Sequence, residues 1–167
     1  SNDEKIAIVH NGIIENYAQL REELQAKGFQ FKSDTDTEVV AHLMDLYYEG
    51  DLKKAVLKTI SRLEGAYALG ILCAEEKGRI IAARHAAPLI VGVGIGENYF
   101  ASDVTALVAY TKNVIYLEDG EIADITPESA AVLPATSRRT PSAATSPSLE
   151  ALVPCAPAPS VGMWSSP

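Results

Sequence analysis

The residue types that could do chemistry concentrate in one stretch, Ile6-Ala7-Ile8-Val9-His10-Asn11-Gly12-Ile13-Ile14-Glu15-Asn16-Tyr17. Its centre, Asn11-Gly12, is a pair that normally marks a tight hairpin. The residues after the pair read as helical instead, because Ile13, Tyr17, Leu20 and Leu24 recur at spacings of four, three and four. The pair is therefore expected at a strand-to-helix turn, a place where α/β proteins often set chemistry. Gly12 offers a backbone N–H with no side chain in the way, and Asn11 offers a carboxamide N–H. Two such donors can converge on one developing oxyanion. By spacing alone the pair reads more simply as a loop that ends a strand, so the flanking residues must decide between the two.

A second polar segment, Ser33-Asp34-Thr35-Asp36-Thr37-Glu38, opens a helix. Thr35 and Glu38 have capping-box spacing. Asp36 and Asp34 suit a helix start, where a carboxylate gains up to about 1 kcal/mol from the helix dipole. His10 reads as a satisfied strand-end histidine, and His42 and His85 as structural or exposed side chains. Three scattered histidines with no Cys/His spacing argue against a metal site, so none is expected. Gly92-Val93-Gly94-Ile95-Gly96 lacks phosphate-loop spacing and leads into a strand, which makes it a hairpin turn.

The elements that must position these residues can be read from periodicity. After the first helix, Lys27-Gly28 supplies a basic last turn and a C′ glycine. A second helix runs from about Thr35 to Glu49, and a third is striped by Leu52, Val56, Ile60 and Leu63 before Gly65. From Tyr67 the period changes to strands: Tyr67–Cys73, Arg79–Arg84, Pro88–Val93 and Tyr99–Ser102. A short helix is expected near Asp103. Asp119-Gly120 marks a last hairpin between Val114–Leu117 and Glu121–Ile125. Helices first and an antiparallel run afterwards favour an α+β layered domain over a doubly wound one.

The 167 residues carry a net charge of −8 and are 47% hydrophobic and 22% charged. That balance describes one ordinary soluble domain with room for a core. An acidic chain without a Lys/Arg cluster argues against nucleic acid, and no run of 18 apolar residues offers a membrane span. Cys73 lies in an apolar strand and reads as a buried, inert thiol, while Cys155 lies in a Pro/Ala/Ser-rich stretch. No disulfide framework is indicated, which fits the cytoplasm. Composition breaks near Ser129, because the residues from there to Pro167 hold seven of the nine prolines. The chain is therefore expected to divide into a folded part, 1–128, and a disordered tail, 129–167.

"VHNGIIENY", "LREEL", "KGFQF" and "SDTDTEVVAHL" together resemble the glutaminase domain of the glutamine–fructose-6-phosphate aminotransferases, a class II glutamine amidotransferase family. The resemblance runs from about Ile6 to about Thr126. It implies an N-terminal-nucleophile fold, a four-layer αββα sandwich, here incomplete. It also implies hydrolysis of L-glutamine to glutamate and ammonia without a cofactor. In the family, the thiol of an N-terminal cysteine attacks the glutamine amide and its own α-amino group acts as base. Asn11 and Gly12 match the family's oxyanion pair, and Asp36 matches the carboxylate that holds the α-ammonium of glutamine. This chain begins with Ser1, so the nucleophile and the first strands are expected to be absent, and because the resemblance stops before the break near Ser129, so are the sugar-isomerase domains of the full-length enzyme. The chain alone is then expected to be inactive and prone to self-association. A catalytically dead remnant that serves only as an interaction module is the alternative.

Overall fold

The computed structural model describes residues 5–135 together with Val153 and Pro154. The order of elements is β1 (Ile6–Ile14), α1 (Tyr17–Ala26), α2 (Asp36–Tyr47), α3 (Leu52–Ile60), β2 (Gly65–Cys73) and β3 (Ile80–His85). After these come β4 (Ile90–Val93), β5 (Asn98–Ala101), a 3₁₀ turn (Val104–Ala106), β6 (Asn113–Tyr116), β7 (Glu121–Ile125), β8 (Ala130–Pro134) and β9 (Val153–Pro154). Two antiparallel sheets result, one ordered β1-β2-β3-β7-β8 and the other β5-β4-β6-β9.

Strand alternation builds the layers. In β2, Tyr67, Leu69, Ile71 and Cys73 face the helices, where they join Leu20, Leu24, Val40 and Leu43 in the main core. Ala68 in the same strand faces the second sheet and joins Ala82, Leu89, Val91, Leu117 and Ala123. Leu69, Ile71, Ile81 and Ile122 are fully buried, and each contributes about 1.5–3 kcal/mol by leaving water. The small side chains Ala68, Ala82 and Ala123 let the two sheets approach. At Gly70 the ring of Phe100 fills the space that a Cβ would occupy. Three layers are thus present among the described residues: helices, five-stranded sheet, four-stranded sheet. On the outer face of the second sheet, Leu107, Ile90 and Val114 form a small cluster beside the 3₁₀ turn. The α+β sandwich expected from the sequence is present, with its outer helical layer reduced to that turn among the described residues.

Four local expectations are corrected. Asn11-Gly12 is not a turn, because β1 runs through it to Ile14 in unbroken register with β2. The helix begins only at Tyr17, and Ile13 is exposed rather than part of its apolar stripe. The capping box is not made either. Thr35 makes no side-chain cap, and Glu38 instead accepts from the backbone N–H groups of Lys32 and Ser33 and from the Ser33 hydroxyl. Three donors from the preceding loop outcompete the single N-cap N–H.

Asp119-Gly120 turns the chain but does not join a hairpin, since β6 pairs with β4 and β7 pairs with β3. Leu117 is buried between the sheets and carries the connection across. The Asp119 carboxylate then accepts from the Ala86 N–H and pairs with Arg84. Finally, pairing continues past Ser129. Strand β8 runs beside β7 from Ala130 to Pro134, with Val132 toward the second sheet and Leu133 toward the helices. Five alternating residues suffice there because β7 supplies the partner groups, and Pro134 is tolerated on an edge strand. Most of the expected tail, Cys155 included, lies outside the described residues.

The β1–β2 ladder depends on two glycines. Gly12 has φ +128° and Gly65 has φ +113°. A Cβ on Gly12 would lie 2.1 Å from the Ala66 carbonyl oxygen, and one on Gly65 would lie 2.3 Å from that of Ile13. Each obstacle is backbone and cannot swing away. Gly65→Ala is expected to cost about 2–3 kcal/mol. Gly28→Ala, also at positive φ but in open space, should cost about 1 kcal/mol. Urea unfolding of both variants checks the difference.

Glu38 gives the fold an acid limb. Burial works against its charge, but bonds from Ser33 and the Lys32 and Ser33 amides, with help from His42, hold its pKa at about 2 against an ordinary 4.5. Its folded pKa lies below the unfolded one, so its contribution is present above pH 4.5 and is lost as pH falls toward 2. Glu38→Gln should flatten stability between those limits, measured by chemical denaturation at a series of pH values.

Candidate functional site

Strand β1 lies at the edge of the five-stranded sheet, and among the described residues no strand pairs with its outer side. Its side chains divide by parity. Ile6, Ile8 and His10 turn toward the helices, while Val9 and Asn11 turn toward the second sheet. Asn11 is exposed and pairs with Ala68; Gly12, beside it, pairs with Tyr67. Asn11 lines a cavity of about 330 Å³ that opens between the sheets and is bounded by Val9, Ala68, Gly70, Leu89 and Phe100. The cavity places a polar carboxamide at the mouth of a mostly apolar slot.

Helix α2 brings Asp36 to the same stretch of strand. Asp36 Oδ2 accepts from the Ile14 backbone N–H at 2.9 Å, two residues beyond Gly12. Asp36 Oδ1 accepts from the Thr37 hydroxyl at 3.4 Å and lies 3.6 Å from His10 Nδ1. The Asp36 side chain keeps 23% exposure, whereas that of His10 keeps 4%. A carboxylate so placed, each oxygen held by one donor and the group still partly exposed, has lone pairs left to suit a cationic group. Sequence reasoning pointed to Asp36 but missed Thr37 and the Ile14 amide. The available signal was His10, the polar residue in the otherwise apolar helix-facing row of the strand (Ile6, Ile8, Gly12, Ile14). His10 is not at a strand end, and although Nδ1 meets the Thr37 hydroxyl at 2.9 Å, Nε2 is buried without a partner among the described residues.

Neighbouring residues of the same motif fix the strand's exit. Asn16 donates to the Arg62 carbonyl at 2.8 Å and accepts from the Glu64 N–H at 3.1 Å. The Glu15 N–H donates to the Glu64 carbonyl at 2.8 Å. Asn16 therefore acts as a clamp between the end of β1 and the loop before β2, not as a helix cap. His42 is 1% exposed and lies against Phe29 and Phe31, with Nε2 3.4 Å from Glu38. Glu38 in turn holds the loop from which α2 and Asp36 emerge. His85 stacks at an angle on Tyr67. Cys73, buried, sits opposite Ile6 at the far end of the ladder from Asn11. Among the described residues no group of His, Cys, Asp and Glu has the arrangement of a metal site, and no helix is long and apolar enough to cross a membrane.

Comparison with known proteins agrees with this architecture. Residues 1–109 match the glutamine amidotransferase domain family. The chain is 55% identical over 128 residues to the glutamine–fructose-6-phosphate aminotransferase (isomerizing) of Aquifex aeolicus, covering 75% of this chain and 22% of that protein. It is 55% identical over 124 residues to the enzyme of the same name from Caldanaerobacter subterraneus subsp. tengcongensis, covering 74% and 20%. The chain thus spans about one fifth of the length of these curated relatives. Among solved structures it resembles the glutamine phosphoribosylpyrophosphate amidotransferase of B. subtilis, with a TM-score of 0.68 and 32% identity over 83% of this chain and 31% of that one. On the match of most of its length, the chain belongs to the glutamine amidotransferase domain family.

Proposed function

We propose that this chain is the glutamine-handling part of a glutamine–fructose-6-phosphate aminotransferase. In this reading Asn11 and Gly12 stabilise the oxyanion formed when a nucleophile attacks the side-chain carboxamide of L-glutamine. Asp36 receives the α-ammonium group, and ammonia passes to a fructose 6-phosphate acceptor held by a sugar-isomerase domain. The observation that carries the reading is the juxtaposition on β1: the Asn11-Gly12 pair and the anchored Asp36 carboxylate share four residues of one strand. The names of the relatives support the substrate and acceptor. The absence of an indicated disulfide framework supports a cytoplasmic setting.

The chemistry is a division of labour. Attack on the amide carbon moves electron density onto the carboxamide oxygen, where two converging N–H donors stabilise it. The proton taken from the attacking thiol passes to the amide nitrogen, which leaves as ammonia; the γ-glutamyl thioester that remains is hydrolysed by water to glutamate and the free thiol. The ammonium pairing contributes no bond change and serves orientation, which sets glutamine apart from simple amides. The family's attacking thiol has no counterpart among the described residues, because Cys73 is buried at the far end of β2.

Purified chain is accordingly expected to release no ammonia from L-glutamine above buffer. In a full-length relative carrying this segment, Asn11→Ala should lower turnover by about 10²–10³-fold. Asp36→Asn should act mainly by raising the KM for glutamine. Turnover unchanged by Asn11→Ala would remove the oxyanion assignment.

Self-association belongs to the same reading. Between Ile8 and Ile14, β1 carries no Lys, Arg, Asp, Glu or Pro to block edge pairing. Light scattering should therefore show dimers or larger species, and a monodisperse monomer would count against this edge as a pairing surface.

A further inference from the structure

Three groups meet where α2 crosses β1, and the proposed ammonium subsite uses only one of them. His10 Nδ1 lies 2.9 Å from Thr37 Oγ1. Thr37 Oγ1 lies 3.4 Å from Asp36 Oδ1, and the Ile14 N–H holds Asp36 Oδ2 at 2.9 Å. The hydroxyl of Thr37 has one proton to give. If His10 Nδ1 were bare, that proton would go to the imidazole and Asp36 Oδ1 would lose its donor. If Nδ1 carries the proton, His10 donates to Thr37, and Thr37 is free to donate to Asp36. The ring's other nitrogen supplies a second argument. Nε2 is buried without a partner among the described residues, and a buried unpaired N–H is a rarer condition than a buried unpaired acceptor. Both considerations select the same tautomer, with the proton on Nδ1.

We infer that His10 is a positioning residue for glutamine recognition, acting through Thr37 to set the orientation of the Asp36 carboxylate. The inference rests on the reading of Asp36 as the ammonium-holding group. One carboxylate oxygen is fixed by the Ile14 amide and the other by the Thr37 hydroxyl, so the plane of the carboxylate is determined. Its remaining lone pairs then have one direction in which to meet a cation. His10 itself keeps 4% side-chain exposure, so it acts without touching the substrate. Its placement on the helix-facing row of β1 has a consequence for specificity: the strand that presents Asn11 and Gly12 also sets the group that orients the other end of the substrate.

The test uses the chain itself, with ¹⁵N NMR as the readout. The amide nitrogen of Asn reaches roughly the place of Nδ1, whereas that of Gln reaches roughly the place of Nε2, so the two replacements separate a hydrogen-bonding role from simple filling of space. In the unsubstituted chain, His10 is expected to show the Nδ1-protonated tautomer. L-Glutamine titrations should show weakening by about 5–10-fold in Thr37→Val, His10→Gln and His10→Ala, the effect of losing one hydrogen bond. His10→Asn should remain within about twofold of the original. The double variant His10→Gln, Thr37→Val should bind no worse than either single one, because both break the same chain of donors. Hydrogen exchange at the Ile14 amide should accelerate in the same variants and not in His10→Asn.

An Nε2-protonated His10, equal behaviour of the Asn and Gln variants, or additive losses in the double variant would overturn the inference. Failure of the unsubstituted chain to bind glutamine would count against the reading of Asp36. The tautomer and the Ile14 amide would still decide whether His10 sets that carboxylate.

Discussion

Strand β1 is held from one side by a ladder and from the other by a carboxylate. On the inner side all nine of its residues are in register with β2. On the other, Asp36 takes the Ile14 N–H at 2.9 Å and bridges the strand to helix α2. This bridge fixes the spacing between the helical layer and the polar stretch His10–Gly12. An edge strand without such a tether would leave its backbone groups to water or to another chain. The same carboxylate that could receive a ligand's cation thus first serves the fold. Its two oxygens divide the work, one held by the Ile14 backbone amide and one by the Thr37 hydroxyl.

Packing elsewhere keeps that arrangement rigid. Glu38 closes the loop before α2 with three hydrogen bonds, and His42, on the next turn of the helix, is enclosed by Phe29 and Phe31. Behind the ladder, Arg79 forms a two-pronged pair with Asp124 and a further bond to Glu76. Glu76 also accepts from the Leu52 amide at the start of α3. These charges are only partly exposed and satisfy one another, so they pin β3, β7 and α3 without drawing on the site. Between the sheets, Ala68, Gly70, Ala82 and Ala123 allow close approach, while Leu89 and Phe100 leave the slot into which Asn11 looks.

Much of this was legible in the residues. The helix-then-strand order gave the class, and the stripe of Leu52, Val56 and Ile60 placed α3, which in the structure Asp51 caps. The motif around Asn11 and the run ending in Leu43 carried the family. What could not be read had physical reasons. Asn-Gly signals a turn only when the chain is free to reverse; here nine backbone pairs carry the strand straight through it, and Gly12 absorbs the cost at φ +128°. Thr35 and Glu38 had the right spacing, but Glu38 found three donors in the loop instead of one at the cap. The hairpin expected at Asp119-Gly120 depended on sheet membership, which Leu117 decides by burying itself between the sheets. Strand β8 was hidden because Ala130–Pro134 is apolar throughout and shows no alternation; pairing with β7 is what sends Val132 and Leu133 to opposite faces. At the candidate site, Asp36 was singled out through its neighbours, whereas its contacts with Ile14 and Thr37 depended on a crossing of helix and strand that no local pattern encodes.

The most direct test is a ¹H,¹⁵N chemical-shift map of the isolated chain titrated with L-glutamine, with D-glutamine as the control. Weak, saturable shifts are expected, centred on the Asn11 carboxamide and the Gly12 and Ile14 amides, absent with the D-isomer and lost in Asp36→Asn. Shifts centred instead on the larger cavity of about 540 Å³ at the opposite end of the sandwich, beside Leu72 and Ile125, would contradict the assignment of this site to glutamine. So would a map indifferent to Asp36.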